Sequence, residues 1–177
     1  MDWSNLQIIV TEPLPAKCVV PVLHHTSNWD FPVGLSIRPI IETDIHYVGK
    51  DSLFRWPYGK LFSALGGVPV DRSKSNNFVD AVAAVFPRRE VFRLCLAPEG
   101  TRSKVDHLKT GFYYIALQAK VPLVYCAFDW GHGEIRFSAP YWPTGDKEQD
   151  FEHFYDYFRG TEGYHPELDF DIPPPKN

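Results

Sequence analysis

The sequence predicts a single α/β domain with a mostly parallel or mixed central sheet flanked by helices. Three observations carry this. Short apolar runs of β type alternate along the chain with stretches of helical period. A length of 177 residues suits one domain around one core. No internal repeat or interdomain linker breaks the pattern. The domain is placed at 1–162. A proline-rich, acidic C-terminal tail follows at 163–177, ending Asp171-Ile172-Pro173-Pro174-Pro175-Lys176-Asn177.

Taken in order, Lys17 to Leu23 reads as a buried strand that stops at a histidine pair. Ile45 to Val48, Val68 to Val70 and Phe92 to Ala97 read as further short strands. Val121 to Phe128 is an almost continuous β-type run, and Glu134 to Phe137 a shorter one. Phe78, Val82, Val85 and Phe86 share a helical face, with Asn76 or Asn77 as N-cap and Pro87 as stop. Phe112, Ile115, Ala116 and Ala119 form a second stripe, followed by Pro122. Phe151, Phe154, Tyr155 and Phe158 form a third, closed by Gly160.

Hydrophobic residues make up 44% of the chain and charged ones 23%, the balance of an ordinary soluble globular protein. A net charge of −4 does not favour nucleic acid as a partner. Cys18, Cys95 and Cys126 are widely spaced and lie in apolar strand-like runs, so they read as reduced core residues. Met1-Asp2-Trp3-Ser4 lacks the basic start and apolar run of a signal peptide. No stretch approaches the ~18 apolar residues of a spanning helix. The expectation is a cytoplasmic protein that touches a membrane peripherally and weakly. Leu53 to Phe62 mixes aromatics with Arg55 and Lys60, as interfacial segments do. The same aromatics also fit a core around a turn.

The chemistry is concentrated at His25-Thr26-Ser27-Asn28-Trp29-Asp30. On one continuous helix, residues five apart diverge by about 140° and could not meet. They meet if His25 ends the strand and Asp30 sits in the first helical turn. Ser27 and Asn28 are good N-caps, and Pro32 is tolerated near a helix start. A helix from near Asn28 towards Ile37, with Pro39 beyond it, therefore juxtaposes the two. The first turn favours a carboxylate. Bonded to one imidazole nitrogen, Asp30 would fix the His25 tautomer and leave the other nitrogen to accept a proton. Taken alone, these six residues equally fit a capping aspartate beside a packed histidine. Strand alternation turns His24 and His25 to opposite sides, so one of them serves a site, and the spacing selects His25.

Downstream stand Gly66-Gly67-Val68-Pro69-Val70-Asp71-Arg72, then Pro98-Glu99-Gly100-Thr101-Arg102-Ser103, then Val121-Pro122-Leu123-Val124. These blocks, in this order over roughly residues 19 to 128, resemble the glycerolipid acyltransferase family. The resemblance implies fatty-acyl transfer from acyl-CoA or acyl-carrier protein to a lysolipid hydroxyl, with 1-acylglycerol-3-phosphate as the leading acceptor. It needs no metal or redox cofactor. His25 would be general base, assisted by Asp30. Arg72, Glu99, Gly100, Thr101 and Arg102 match acceptor-binding motifs, and Lys109 belongs to a lysine-x-glycine that often follows them. Glu99 is expected to orient Arg102 or Arg72, while Gly66, Gly67 or Gly100 offers an N–H to the thioester oxyanion. Tyr125 replaces a second proline of the fourth block and bears on acyl-chain fit. Alternatives are another lipid alcohol as acceptor, such as an amino-acid-containing lysolipid; a non-catalytic lysolipid or acyl-CoA binder; and a thioesterase using Ser27.

Overall fold

The computed structural model describes residues 6–50, 55, 57, 59–70 and 75–176. The strands are β1 (Gln7–Val10), β2 (Lys17–Leu23), β3 (His46–Lys50), β4 (Gly67–Val70), β5 (Phe92–Leu96), β6 (Cys126–Asp129) and β7 (Glu134–Phe137). The helices are α1 (Asp30–Ile40), α2 (Gly59–Ala64), α3 (Ser75–Ala83), α4 (Gly111–Ala119) and α5 (Lys147–Phe158). The strands form one mixed sheet in the order β1-β7-β6-β2-β5-β3-β4. Every neighbouring pair is parallel except β6 and β7, which are antiparallel.

β2 lies at the centre because every residue after its first is buried. A strand covered on both faces reads as a continuous apolar run, and Lys17-Cys18-Val19-Val20-Pro21-Val22-Leu23 is one. Its alternate residues feed two cores. Val19 and Leu23 pack with Phe112, Ile115, Phe154 and Phe158. Cys18, Val20 and Val22 pack with Val33 and Ile37 of α1 and Phe128.

Several boundaries depart from the sequence expectation. β1 escaped notice: it is short, lies at the sheet edge and is largely exposed, so it shows no burial period. Asn76 and Asn77 fall inside α3 instead of capping it, and Pro87 sits in a 3₁₀ turn at Phe86–Arg88. Pro39 lies in the last turn of α1, where its missing N–H removes one hydrogen bond at most. The Val121–Phe128 run is strand only from Cys126. Before it, Leu123 exchanges both backbone bonds with Tyr141, at 2.8 Å each, and the Tyr125 N–H donates to the Ser138 hydroxyl at 2.9 Å. Pro122 has no N–H to continue the ladder. Tyr125 points away from the α1 side, is fully buried, and meets Phe154 edge-on at 5.3 Å.

Asp150 ties α5 to the body. Its carboxylate accepts from the Tyr113 hydroxyl (2.8 Å), the Tyr141 hydroxyl (2.6 Å), the Thr144 hydroxyl (2.9 Å) and the N–H groups of Thr144 and Gly145. Burial pushes this carboxyl up. The donors, Tyr141 foremost, pull it further the other way, and the net direction is down. Replacing Asp150 by alanine leaves the buried Tyr113 hydroxyl without its acceptor. The expected loss is roughly 3 kcal/mol of stability in a urea melt. A loss below about 1 kcal/mol would show that α5 does not depend on this carboxylate.

Candidate active site

Because β5, β2 and β6 run parallel side by side, their carboxyl ends share one edge of the sheet. The loops that follow them therefore lie together, where open α/β sheets place their ligands. β2 delivers His25, β5 delivers Glu99 and the residues after it, and β6 delivers Trp130.

The helix begins at Asp30 itself, with Trp29 in the N-cap position and no side-chain capping bond to the helix start. Ser27 is not the N-cap. Its hydroxyl accepts from the Trp29 N–H at 3.1 Å, and its own N–H donates to Asp30 Oδ2 at 2.9 Å. Ser27 is buried and committed to this turn, which removes it as a nucleophile. His25 Nδ1 lies 3.1 Å from Asp30 Oδ2. The other carboxylate oxygen, Oδ1, accepts from the indole Nε1–H of Trp130 at 3.1 Å. With Nδ1 turned to Asp30, the imidazole has Nε2 left for the cavity it borders.

Glu99 forms no hydrogen bond or ion pair with Arg102. Its Oε1 accepts the backbone N–H of His25 at 3.0 Å, so it pins the loop from below. Only 4% exposed, its carboxyl is pushed up to about 7, chiefly by burial. Arg72, the other residue that Glu99 was expected to orient, lies outside the described residues. Gly100 takes a left-handed φ of 67°. A Cβ there would lie 2.4 Å from Lys109 Nζ, so the lysine chain runs across the glycine. Arg102 and Thr101 are exposed beside it. The Gly100 N–H donates to Ala97 C=O and the Gly66 N–H to Ser63 C=O, both at 3.0 Å. Both are thus committed within turns, which corrects their assignment as oxyanion donors.

His24 is buried at 1% exposure, and its Nδ1 faces Asp169 Oδ1 at 3.7 Å, too far for a hydrogen bond. Burial pushes the His24 imidazole down to about 4 and the Asp169 carboxyl up to about 6. His24 is thus neutral at pH 7 and belongs to the support of the loop.

His25 and Asp30 border a cavity of about 1010 Å³. Its wall continues along β2 and beneath α1 through Val20, Val22, Gly34, Ile37 and Phe128, and elsewhere carries Arg102 and Lys109. Cys95 also faces it, and burial raises that thiol to about 12, so it acts as an apolar wall group. Tyr125 is not on this wall. Of Leu53 to Phe62, Leu53, Phe54, Trp56 and Tyr58 lie outside the described residues. Lys60 and Leu61 are exposed on α2.

The residues that sequence reasoning missed are Trp130 and Asp169, together with Arg38. The Arg38 Nη1 donates to Leu65 C=O at 2.7 Å and holds the turn before β4. For Trp130, a signal existed: it lies two residues past the predicted Val121–Phe128 run.

The profile of the acyltransferase family matches residues 5–129, and the chain belongs to that family. It is 34% identical over 113 residues to human 1-acyl-sn-glycerol-3-phosphate acyltransferase beta, covering 60% of this chain and 39% of that protein. It is 31% identical over 83 residues to the 1-acyl-sn-glycerol-3-phosphate acyltransferase of Cocos nucifera, covering 44% of this chain and 27% of that one. The chain thus spans well under half the length of these relatives. The crystal structure of the 1-acyl-sn-glycerophosphate acyltransferase PlsC from Thermotoga maritima shares the fold. Its TM-score is 0.61 at 19% identity, over 88% of this chain and 70% of that one. Among the described residues, no helix is long and apolar enough to cross a membrane.

The buried Glu99 carboxyl gives a pH test. Its folded value of about 7 exceeds the ordinary 4.5, so the folded state binds the proton more tightly. Wild type should therefore lose stability relative to Glu99→Gln as pH rises from about 4.5 to about 7, with the gap constant above that. Paired melting curves across this window check it. A gap that does not vary with pH would mean that the carboxyl titrates normally.

Proposed function

We propose that this protein transfers a fatty acyl group from acyl-CoA or acyl-carrier protein to the hydroxyl of a lysolipid, most simply 1-acylglycerol-3-phosphate, giving phosphatidate. The observation that carries this reading is the His25–Asp30 contact at 3.1 Å on the wall of a long, largely apolar cavity. Family membership and the names of the two relatives support the same chemistry.

In this reading Asp30 holds His25 in the tautomer with hydrogen on Nδ1. Nε2 takes the proton of the acceptor hydroxyl as that oxygen attacks the thioester carbonyl carbon. The C–O bond forms, the C–S bond breaks, and the proton passes from His25 to the departing thiolate. Asp30 stabilises the transient imidazolium. No metal or redox step is required. The acyl chain lies along β2 beneath α1. Arg102 and Lys109, together with Arg72, meet the acceptor phosphate, while Glu99, Gly100 and Thr101 shape their loop. Single-chain acceptors partition into bilayers, so the enzyme meets them as a peripheral protein on a cytoplasmic membrane surface.

Labelled acyl donor and a panel of lysolipids, with the product read by mass spectrometry, test the reading. Absence of product with every acceptor and both donors would overturn it. His25→Ala is expected to lower turnover by ~10² or more in a protein that still melts cooperatively.

Gly34 tests the chain path. It lies on the cavity wall, where an added Cβ would be 3.6 Å from the Phe128 ring. Gly34→Leu should raise the KM for long-chain donors and leave short-chain donors unaffected. Equal effects on both would remove the acyl chain from beneath α1.

A further inference from the structure

Trp130 is the first residue beyond the stretch that matches the family, 5–129. It is nevertheless in direct contact with the dyad. Asp30 is only 2% exposed, so both carboxylate oxygens need donors. Oδ2 receives the Ser27 N–H and faces His25 Nδ1. Oδ1 receives the Trp130 indole N–H at 3.1 Å.

The indole is itself held by the segment that follows α5. The Trp130 backbone N–H donates to Glu162 C=O at 2.7 Å. Its ring meets Tyr164 edge-on, with centroids 5.2 Å apart and planes at 89°. Buried Asp129, one residue earlier, accepts from the Glu162 N–H at 3.3 Å and the His132 N–H at 3.2 Å, which fixes the end of β6. Three residues after Glu162, the His165 N–H donates to Thr26 Oγ1 at 3.1 Å, inside the catalytic loop. The 162–165 segment therefore grips the indole on one side and the loop that carries His25 on the other.

We propose that Trp130 is a positioning residue: its indole N–H fixes the rotation of the Asp30 carboxylate so that Oδ2 stays aimed at His25. This rests on the reading of His25 and Asp30 as the catalytic pair. Without the indole donor, the carboxylate turns towards other partners and the imidazole loses its orientation. The loss falls on the step in which His25 becomes charged, and not on substrate binding.

Trp130→Phe keeps an aromatic ring against Tyr164 and removes the donor together with part of the buried indole volume, and the Asp30→Ala background separates the two. The expected result is a kcat about tenfold lower, the scale of one hydrogen bond to a charged group, with KM for donor and acceptor unchanged. In an Asp30→Ala background the same substitution should cost nothing further, because no carboxylate remains to be held. Equal losses in both backgrounds, or a raised KM in place of a lowered kcat, would overturn the proposal. His25→Ala, measured alongside, separates the two levels of inference. If His25→Ala retains turnover, the catalytic pair is wrong. If it is inactive while Trp130→Phe is fully active, only the role of Trp130 falls. A readout independent of turnover uses the otherwise intact chain: the indole ¹⁵N–H resonance of Trp130 should move on Asp30→Ala. A resonance that stays in place would show that the bond is absent and would overturn the proposal whatever the kinetics.

Discussion

The buried carboxylate of Asp30 is the constraint around which this end of the molecule is arranged. A charge out of water must be met by donors on both oxygens. Asp30 finds them near and far in sequence: the Ser27 backbone and the His25 ring in its own loop, and the Trp130 indole 100 residues later. That meeting requires β2 and β6 to be parallel neighbours ending at the same edge, which the sheet order provides. The dyad geometry and the sheet topology are thus one requirement seen at two scales.

Around this pair the protein separates charged groups by burial. His24 adjoins His25 in sequence and Glu99 holds its backbone N–H, and both are nearly sealed from solvent. Burial favours the uncharged form of each: His24 is neutral near pH 7, and the Glu99 carboxyl, raised to about 7, holds its proton well above the ordinary carboxylate range. Glu99 works through a backbone N–H and His24 by packing against the Gly163–Asp169 turn. The groups exposed to the cavity mouth are cationic, with Arg102 and Lys109 on its wall. The polar support lies beneath the loop and the positive charge above it.

Much of this was legible in the chain. The unbroken apolar run from Lys17 to Leu23 identifies a central strand, because burial on both faces erases alternation. A helix start near Asn28 followed from Pro32 and from the impossibility of a five-residue contact on one helix; the helix begins two residues later, at Asp30, and the cap residue differs. What stayed hidden has a common cause. Glu99 binds a backbone N–H, and any loop offers one, so no residue type marks the partner. The Asp30–Trp130 bond depends on which strands are neighbours, and single-sequence patterns carry no pairing information. β1 lies at an edge where exposure removes the periodic signal. The break in the 121–128 run depends on a bond from Tyr125 to a serine hydroxyl 13 residues on.

The arrangement of the segment after α5 also bears on how the molecule is made. During synthesis the amino-terminal part emerges first, so β2 must wait for both neighbours: β5 ends at Leu96 and β6 at Asp129. The loop bearing His25 waits longer still, until the Glu162–Asp169 stretch has left the ribosome and closed over it. Such long-range closure is slow compared with local helix formation. A nascent chain halted before that stretch would hold most of its sheet and every residue of the dyad, yet lack the contacts that align them. The alignment of His25 with Asp30 would then be acquired as one late event, after the bulk of the fold.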